Sequence, residues 1–574
     1  MAIALAVVLA LASALLADSY NKDFGSFRLS SRLTSVATSD VSTEKLSYDV
    51  EAWQKGFTSC EKETASVLEG GNVPKDLKGT YFKNGHALFE VGKQQIIHPF
   101  DADGMITAIN IEDGIATFRN RFVGTDGFKR ERRARRIMYR GVFGSKKDGG
   151  ILANIFDLKQ KNVANTNVIF WAGRLLALWE GGLPYRMEPD SLRTLGTYTF
   201  KGLLPKPNGN FGAHPRIDSN TGRLVNIARD QKTTGKVECT VSIFEFEGGT
   251  DSVAPVKQRE LTIPGLPFFH DFVVTKNYYV FNRAPTTFDP IPFVLGQKGP
   301  AECIGFDSSQ PAIVYIVPRD GSEAVEVEVD PHFNFHFANG FEDDDGNISF
   351  DVVKCDNMML GNSQNSDKPL PMSVDYAKDV PYSKLVRYTF SPDEHGGFKH
   401  STKELSQTQV DFVSVAPSKS CAKHRYVYAA GGSDPTQSSP VQGLVKIDCD
   451  AGSETKWIGE RHEFLGESIF VARDGGTEED DGYLMSFLFN GEDNTSEFVI
   501  FDAKDIAKGP ISRQLLPTKV PFGLHGNWAP DLVFESDAIL RRHKACKALD
   551  TKAGWNTMTG GFSGLGLTQD MYNS

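Results

Sequence analysis

Residues Leu266 to Arg283 read "LPFFHDFVVTKNYYVFNR", two blocks of aromatic and β-branched residues separated by the polar triplet Thr275 to Asn277. The pattern is that of strand, turn and strand. His270 and Asp271 stand inside the first block, an ionisable pair in a segment that otherwise reads as buried. Neighbouring side chains on a strand point to opposite faces, so Asp271 is not expected to orient the ring of His270. It is expected to anchor a turn or to pair elsewhere, while Phe268 and Phe269 shield His270 from water.

The same pattern recurs along the body. From about residue 60, short β-rich runs such as "TVSIFEFEGG", "AIVYIVPRDG", "NISFDVV", "RYVYAAGG", "GYLMSFLFNGED" and "EFVIFDAKD" alternate with turn signals, and long amphipathic helical patterns are few. An all-β architecture follows. The 574 residues exceed one ordinary core, and many four-stranded units over this length fit a β-propeller economically. No WD or kelch signature is present, so the blades are related by geometry rather than by a repeat motif.

Composition narrows the function. With 62 Lys and Arg against 73 Asp and Glu the net charge is -11, which disfavours a nucleic-acid partner. Seven scattered Cys, with no C-x-x-C pair, read as isolated reduced thiols. Forty Phe are many beside six Trp and sixteen Tyr, and suit either a ring-packed core or a pocket for a long apolar ligand.

Residues 1–17 form an unbroken apolar run, read as a signal peptide or N-terminal anchor. Residues 18–59 form a Ser/Thr-rich targeting or linker segment, and the combination is expected to route the protein to a plastid through the secretory pathway. An ER, secreted or membrane-associated location is the alternative. "GFKRERRARRIMYRGVFG" (Gly127 to Gly144) is the best helical candidate, either a solvated helix or a basic surface on anionic lipid. "FDPIPFVLGQKGPAECIGF" reads as a tunnel lip, a membrane-dipping edge or a buried loop.

Four of the twelve His share a context of small or aromatic residues at an apparent strand end: His214 in "FGAHPRID", His270, His336 in "FNFHFANGFED" and His525 in "PFGLHGNWAP". Others, such as His395 and His543, lie in polar stretches. Successive separations are 56, 66 and 189 residues, close to one, one and three blades of roughly 65 to 70 residues, and equivalent inner-strand positions converge on a propeller axis. Four neutral imidazoles suit iron, copper, nickel or zinc. Each ring needs its second nitrogen held, usually by a carboxylate, and Glu180 in "LLALWEGGLPY", Asp411 in "TQVDFVSVAP" and Glu467 in "FLGESIFVA" are the candidates. A P-loop, an EF-hand spacing, a G-x-S-x-G elbow and an H-E-x-x-H helix are all missing.

From Leu77 to Pro530 the chain resembles the carotenoid cleavage oxygenases, through "LKGTYFKNGHALF", "HPFDADGMI", "FRNRFVGTDGF", "VANTNVIFWAGRLLALWEGGLPY", "NFGAHPRID", "FFHDFVVTKNYYVF", "FHFANGFEDDDG", "RYVYAAGG", "ESIFV" and "VPFGLHGNWAP", in family order. The resemblance implies a seven-bladed propeller over residues 60–574, with a helical cap on the face bearing the metal site. It implies iron(II) on the axis, held by His214, His270, His336 and His525, with Glu180, Asp411 and Glu467 bonded to three of the rings. Many members carry Glu at the position of Asp411, whose shorter side chain calls for a shifted backbone or a water. The reaction implied is dioxygen insertion at a conjugated C=C bond of a carotenoid or apocarotenoid, giving aldehyde or ketone products, with possible peripheral membrane contact. The same superfamily includes retinoid-ester isomerohydrolases and stilbene-cleaving oxygenases, and a non-catalytic lipid-binding propeller is a further alternative.

Overall fold

The computed structural model describes residues 47–553 apart from 61, 207, 233–236, 250–253 and 361–367. The apolar run 1–17 and most of the Ser/Thr-rich tract lie outside the described residues.

Seven antiparallel sheets follow one another along the chain and form the blades of a propeller. Blade 1 holds Ala65–Val67, Gly79–Leu88, Asp103–Glu112, Ile115–Phe122 and, from the far end of the chain, Gly526–Pro530. Blade 2 runs from Asn167–Trp171 to Thr194–Thr197, blade 3 from Arg216–Ile217 to Lys257–Pro264 and blade 4 from Val273–Val274 to Val325–Val329. Blade 5 runs from Phe337–Glu342 to Phe398–Glu404, blade 6 from Val410–Ser414 to Ser453–Ile458 and blade 7 from Glu463–Leu465 to Ser512–Leu515. Gly526–Pro530 pairs with Gly79–Leu88 in the register Tyr81 to Trp528. Backbone hydrogen bonds between the two ends of the chain therefore close the ring.

Residues Leu266 to Arg283 lead into blade 4 and form its first two strands. Val273–Val274 and Tyr278–Arg283 pair antiparallel across the turn at Thr275, whose N–H donates to the Tyr278 carbonyl at 2.8 Å.

The cores lie between blades. Tyr81, Ile109 and Phe118 of blade 1 pack with Tyr483, Met485 and Phe498 of blade 7, and Val225, Ile243 and Cys239 of blade 3 pack with Phe272, Tyr279 and Phe281 of blade 4. Each fully buried Phe of this kind contributes about 1.5–3 kcal/mol relative to an exposed one. All ten residues of Gly79–Leu88 are buried, because both faces of this strand are covered. The seven cysteines are all free.

The structure departs from the sequence reading in several places. The body begins at Ser47, ahead of the boundary expected at residue 60, because Tyr48, Ala52 and Trp53, with helix Val50–Lys55, pack on Phe464 and Phe489 of blade 7. The basic segment is helical only over Asp126–Ala134 and ends where Arg135 turns left-handed at φ 52°. Glu131 is buried there and accepts from the N–H groups of Met138 and Tyr139, which bends the remainder back on the helix. Among the described residues, the helices in the connections between strands are short, as in Gly150–Asn154, Ile291–Val294 and Tyr376–Asp379. The 18-residue helix Ser536–Ala553 packs on blade 1, where His543, read as lying in polar surroundings, is buried with Nε2 3.2 Å from the Asn120 carbonyl.

Candidate metal centre

His214, His270, His336 and His525 lie two, three, one and one residues ahead of an edge strand of blades 3, 4, 5 and 1 respectively. The backbone enters every blade at the axis, so four residues far apart in sequence meet there. Their ligand atoms all lie within 4.8 Å of one another. His214 Nε2 is 2.9 Å from His270 Nε2, and His336 Nε2 is 3.2 Å from His525 Nε2.

The three acids come from the remaining blades. Glu180 sits in a turn of blade 2, Asp411 in the first strand of blade 6, and Glu467 between the two short inner strands of blade 7. Nδ1 of His270 donates to Glu180 Oε1 at 2.9 Å, Nδ1 of His336 to Asp411 Oδ1 at 2.6 Å, and Nδ1 of His525 to Glu467 Oε1 at 2.7 Å. Each of the seven blades thus supplies one polar side chain. Among the described residues, His214 has no carboxylate partner of this kind.

Asp411 reaches its ring without needing a longer side chain. A bulge follows it, with the register broken between Asp411 and Ser414 and Phe412 held at φ 50°. This left-handed backbone moves the strand inward and also brings the Phe412 ring to 5.5 Å from His336 and 5.4 Å from His525.

A carboxylate only accepts, so the three paired imidazoles carry their protons on Nδ1 and present bare Nε2 lone pairs to the axis. Lone pairs facing one another at about 3 Å repel, and a cation among them converts repulsion into coordination. The donor set therefore fits a metal ion that prefers imidazole nitrogen. The electrostatics agree. Burial, together with the neighbouring imidazoles, holds His214 well below the usual range, and burial lowers His525 despite Glu467 beside it. Burial also pulls on His336, but the Asp411 carboxylate outweighs it and the net shift is upward. Burial works against ionising Glu180, yet the adjacent His270 keeps its carboxyl down at about 2.

Asp271 takes no part in the cluster. It accepts from Arg216 at 2.5 Å, from the Phe337 N–H at 2.9 Å and from the Phe272 N–H at 2.8 Å. Arg216 also donates to the carbonyls of Phe272 and Phe337. The pair clasps blades 3, 4 and 5 together just behind three of the histidines.

The cluster opens into a cavity of about 320 Å³ whose walls include Trp53, Phe57, Phe100, Phe143, Trp179, Phe268, Phe335, Phe412 and Phe522. Phenylalanine is therefore found both in the core between blades and in the cavity wall. Phe268 lies parallel to His270 at 6.5 Å and Phe335 meets the same ring edge-on at 5.2 Å. Phe269, expected to shield His270, instead points into the core between blades 3 and 4, 5.4 Å from Phe281, because it alternates with Phe268. His86 and His98 also line the cavity. Sequence reasoning passed over them, although each stands in a stretch that carried the family resemblance.

The family model described as retinal pigment epithelial membrane protein matches residues 57–530. The apocarotenoid-15,15'-oxygenase of Synechocystis sp. is 36% identical over 505 residues, covering 87% of this chain and 99% of that protein. Carotenoid cleavage oxygenase 1 of Neurospora crassa is 30% identical, covering 80% and 86%, and resveratrol cleavage oxygenase 1 of Aspergillus fumigatus is 28% identical, covering 80% and 91%. A cobalt-substituted Synechocystis ACO has a solved structure that superposes with a TM-score of 0.79 at 35% identity, covering 84% of this chain and 99% of that one. With motif order, blade count and these matches in agreement, this chain belongs to the carotenoid cleavage oxygenase family.

Proposed function

We propose that this protein is a non-haem iron(II) dioxygenase that cleaves a conjugated C=C bond of a carotenoid or apocarotenoid, yielding two carbonyl products. The observation that carries the reading is the convergence of four imidazoles, three of them locked by carboxylates, at the wall of an aromatic cavity. His214, His270, His336 and His525 hold the iron, which when bound supplies the activation of dioxygen. Four neutral ligands leave the ion's charge undiminished. Glu180, Asp411 and Glu467 fix ring orientation and tautomer. Phe268, Phe335 and Phe412 exclude water and offer flat apolar surface against which a rigid polyene lies in one position. The acids beside the cluster are engaged by imidazole, so bond choice follows from placement of the polyene rather than from acid–base catalysis.

The test is to incubate iron-loaded protein with β-carotene, an apocarotenal, a retinyl ester and a hydroxystilbene under labelled dioxygen, and to identify products by mass spectrometry. Labelled aldehydes from a polyene are expected. Unlabelled retinol would instead indicate an isomerohydrolase, and absence of product and iron together would indicate a binding propeller. Cleavage of the hydroxystilbene is the second reading, favoured by the relatives named resveratrol cleavage oxygenases.

Contact with a lipid surface belongs to the same proposal. Ile151, Leu152, Phe156, Leu158 and Ile291 are exposed, Leu152 to 90%, and the Phe156 N–H donates to the Val294 carbonyl, joining two of the segments that carry them. A surface of this kind draws an apolar substrate from a bilayer. Leu152→Asp is expected to reduce co-sedimentation with phosphatidylcholine vesicles, and unchanged sedimentation would count against the contact. Delivery to a plastid is carried by the residues ahead of Ser47 in this proposal, and a fluorescent fusion of residues 1–46 tests it.

A further inference from the structure

The cavity contains two imidazoles that the metal centre does not use. His86 lies near the end of Gly79–Leu88; it is 3% exposed, and among the described residues neither Nδ1 nor Nε2 has a hydrogen-bond partner. Its ring stacks on Phe57 at 6.1 Å and meets Phe89 edge-on at 5.5 Å. A phenylalanine would pack there equally well, whereas a buried imidazole with a donor and an acceptor both unpaired forfeits the bonds each made in water. His98 stands beside it, and the two rings share Phe100 as a neighbour. Nδ1 of His98 accepts from the Phe100 N–H at 3.1 Å, which places its proton on Nε2 and makes it a donor. Burial holds both rings at about 3, so both are neutral at physiological pH. Such a pair matches an uncharged oxygen and offers no cation to a carboxylate.

We propose that His86, assisted by His98, is the recognition site for a carbonyl or hydroxyl oxygen at the end of the polyene whose central bonds lie against the four-histidine cluster. The inference rests on the polyene-cleaving reading and adds the end-group chemistry of the substrate. A hydroxyl uses both the donor and the acceptor of His86, and a carbonyl accepts from the two rings together. The site also measures distance. The Asn84 N–H donates to the His525 carbonyl at 2.8 Å, and His86 is two residues farther along the strand, roughly 7 Å. An oxygen held at His86 lies at a set distance from the metal ligands, so the bond presented for cleavage is counted from the oxygenated end.

The experiment uses the iron-loaded full chain and two probes of one carbon skeleton, a polyene ending in an aldehyde and its analogue ending in methyl. Binding is followed by quenching of tryptophan emission, since Trp53 and Trp179 line the cavity. The wild type is expected to bind the aldehyde about tenfold more tightly than the hydrocarbon. His86→Phe removes the preference by weakening the aldehyde alone, His86→Leu does the same should the Phe variant misfold, and His86→Gln, which keeps a donor and an acceptor, retains it. Iron content stays constant throughout. A wild type without preference, a preference that survives in both apolar variants, or equal weakening of both probes overturns the proposal. Preferential aldehyde binding with no cleavage product supports the end-group site while failing the oxygenase reading. Binding of neither probe overturns both.

Discussion

Lys83 and Glu467 form a buried ion pair, Nζ to Oε2 3.1 Å, while the other oxygen of Glu467 accepts a hydrogen bond from Nδ1 of His525. Burial lowers Lys83, and burial alone would raise Glu467, but the carboxyl is held down at about 2 by Lys83 and then by His525. Lys83→Met leaves a buried carboxylate half-compensated, an effect of about 3–5 kcal/mol on stability. Iron affinity is expected to fall about 10–100-fold as Glu467, the partner of His525, loses the cation that anchors it. Chelator competition reads the affinity, and wild-type affinity in this variant would remove Lys83 from the metal centre.

His336→Ala deletes one of the four converging Nε2 atoms. The variant is expected to purify without iron, and metal analysis showing full occupancy would refute the ligand assignment. Asp411→Asn keeps the size of the group that accepts from His336 but removes its charge. Iron affinity is expected to drop about 10–100-fold with the fold intact, visible as a lower metal content at equal circular dichroism.

Arg216 and Asp271 tie three blades together and are not among the residues that line the cavity. Arg216→Met strands a carboxylate whose side chain is 1% exposed, so unfolding stability falls by about 3–5 kcal/mol. Denaturant titration measures the loss. A variant as stable as wild type would mean the clasp contributes nothing.

Asp351 gives a pH-dependent contribution to folding. Burial would raise its carboxyl, but the Arg387 guanidinium, bonded at 2.7 and 2.8 Å, and His424 at 2.8 Å hold it below its ordinary 3.8. The folded state therefore binds this proton less readily than the unfolded chain. The stabilisation is complete above the ordinary value and is lost as pH falls through the depressed folded value. Asp351→Asn is expected to melt lower than wild type at pH 7, with the gap closing below pH 3.8. A gap that stays constant down to pH 2 in melting experiments would contradict this.

Much of the architecture was legible in local pattern. Alternation within "FVVTKNYYVF" and turn residues at regular spacing mark blades because strand pairing in a meander is between sequence neighbours. The spacing of His214, His270 and His336 likewise follows blade length, a local quantity. The candidate acids could be named from apolar surroundings, but their pairing could not, since Glu180 meets His270 across 90 residues and Asp411 meets His336 across 75.

What the amino-acid sequence determined by itself was the all-β class, the ring of blades and the four histidines, because each depends on periodicities that a chain carries along its own length. The tertiary structure alone decided that Asp411 reaches its ring through a bulge, that Phe268 faces the cavity while Phe269 faces the core, that Asp271 clasps blades, and that His86 and His98 are buried at the cavity wall. Those outcomes depend on which blade lies next to which and on how their faces close, and closure of the ring brings together residues separated by up to several hundred positions.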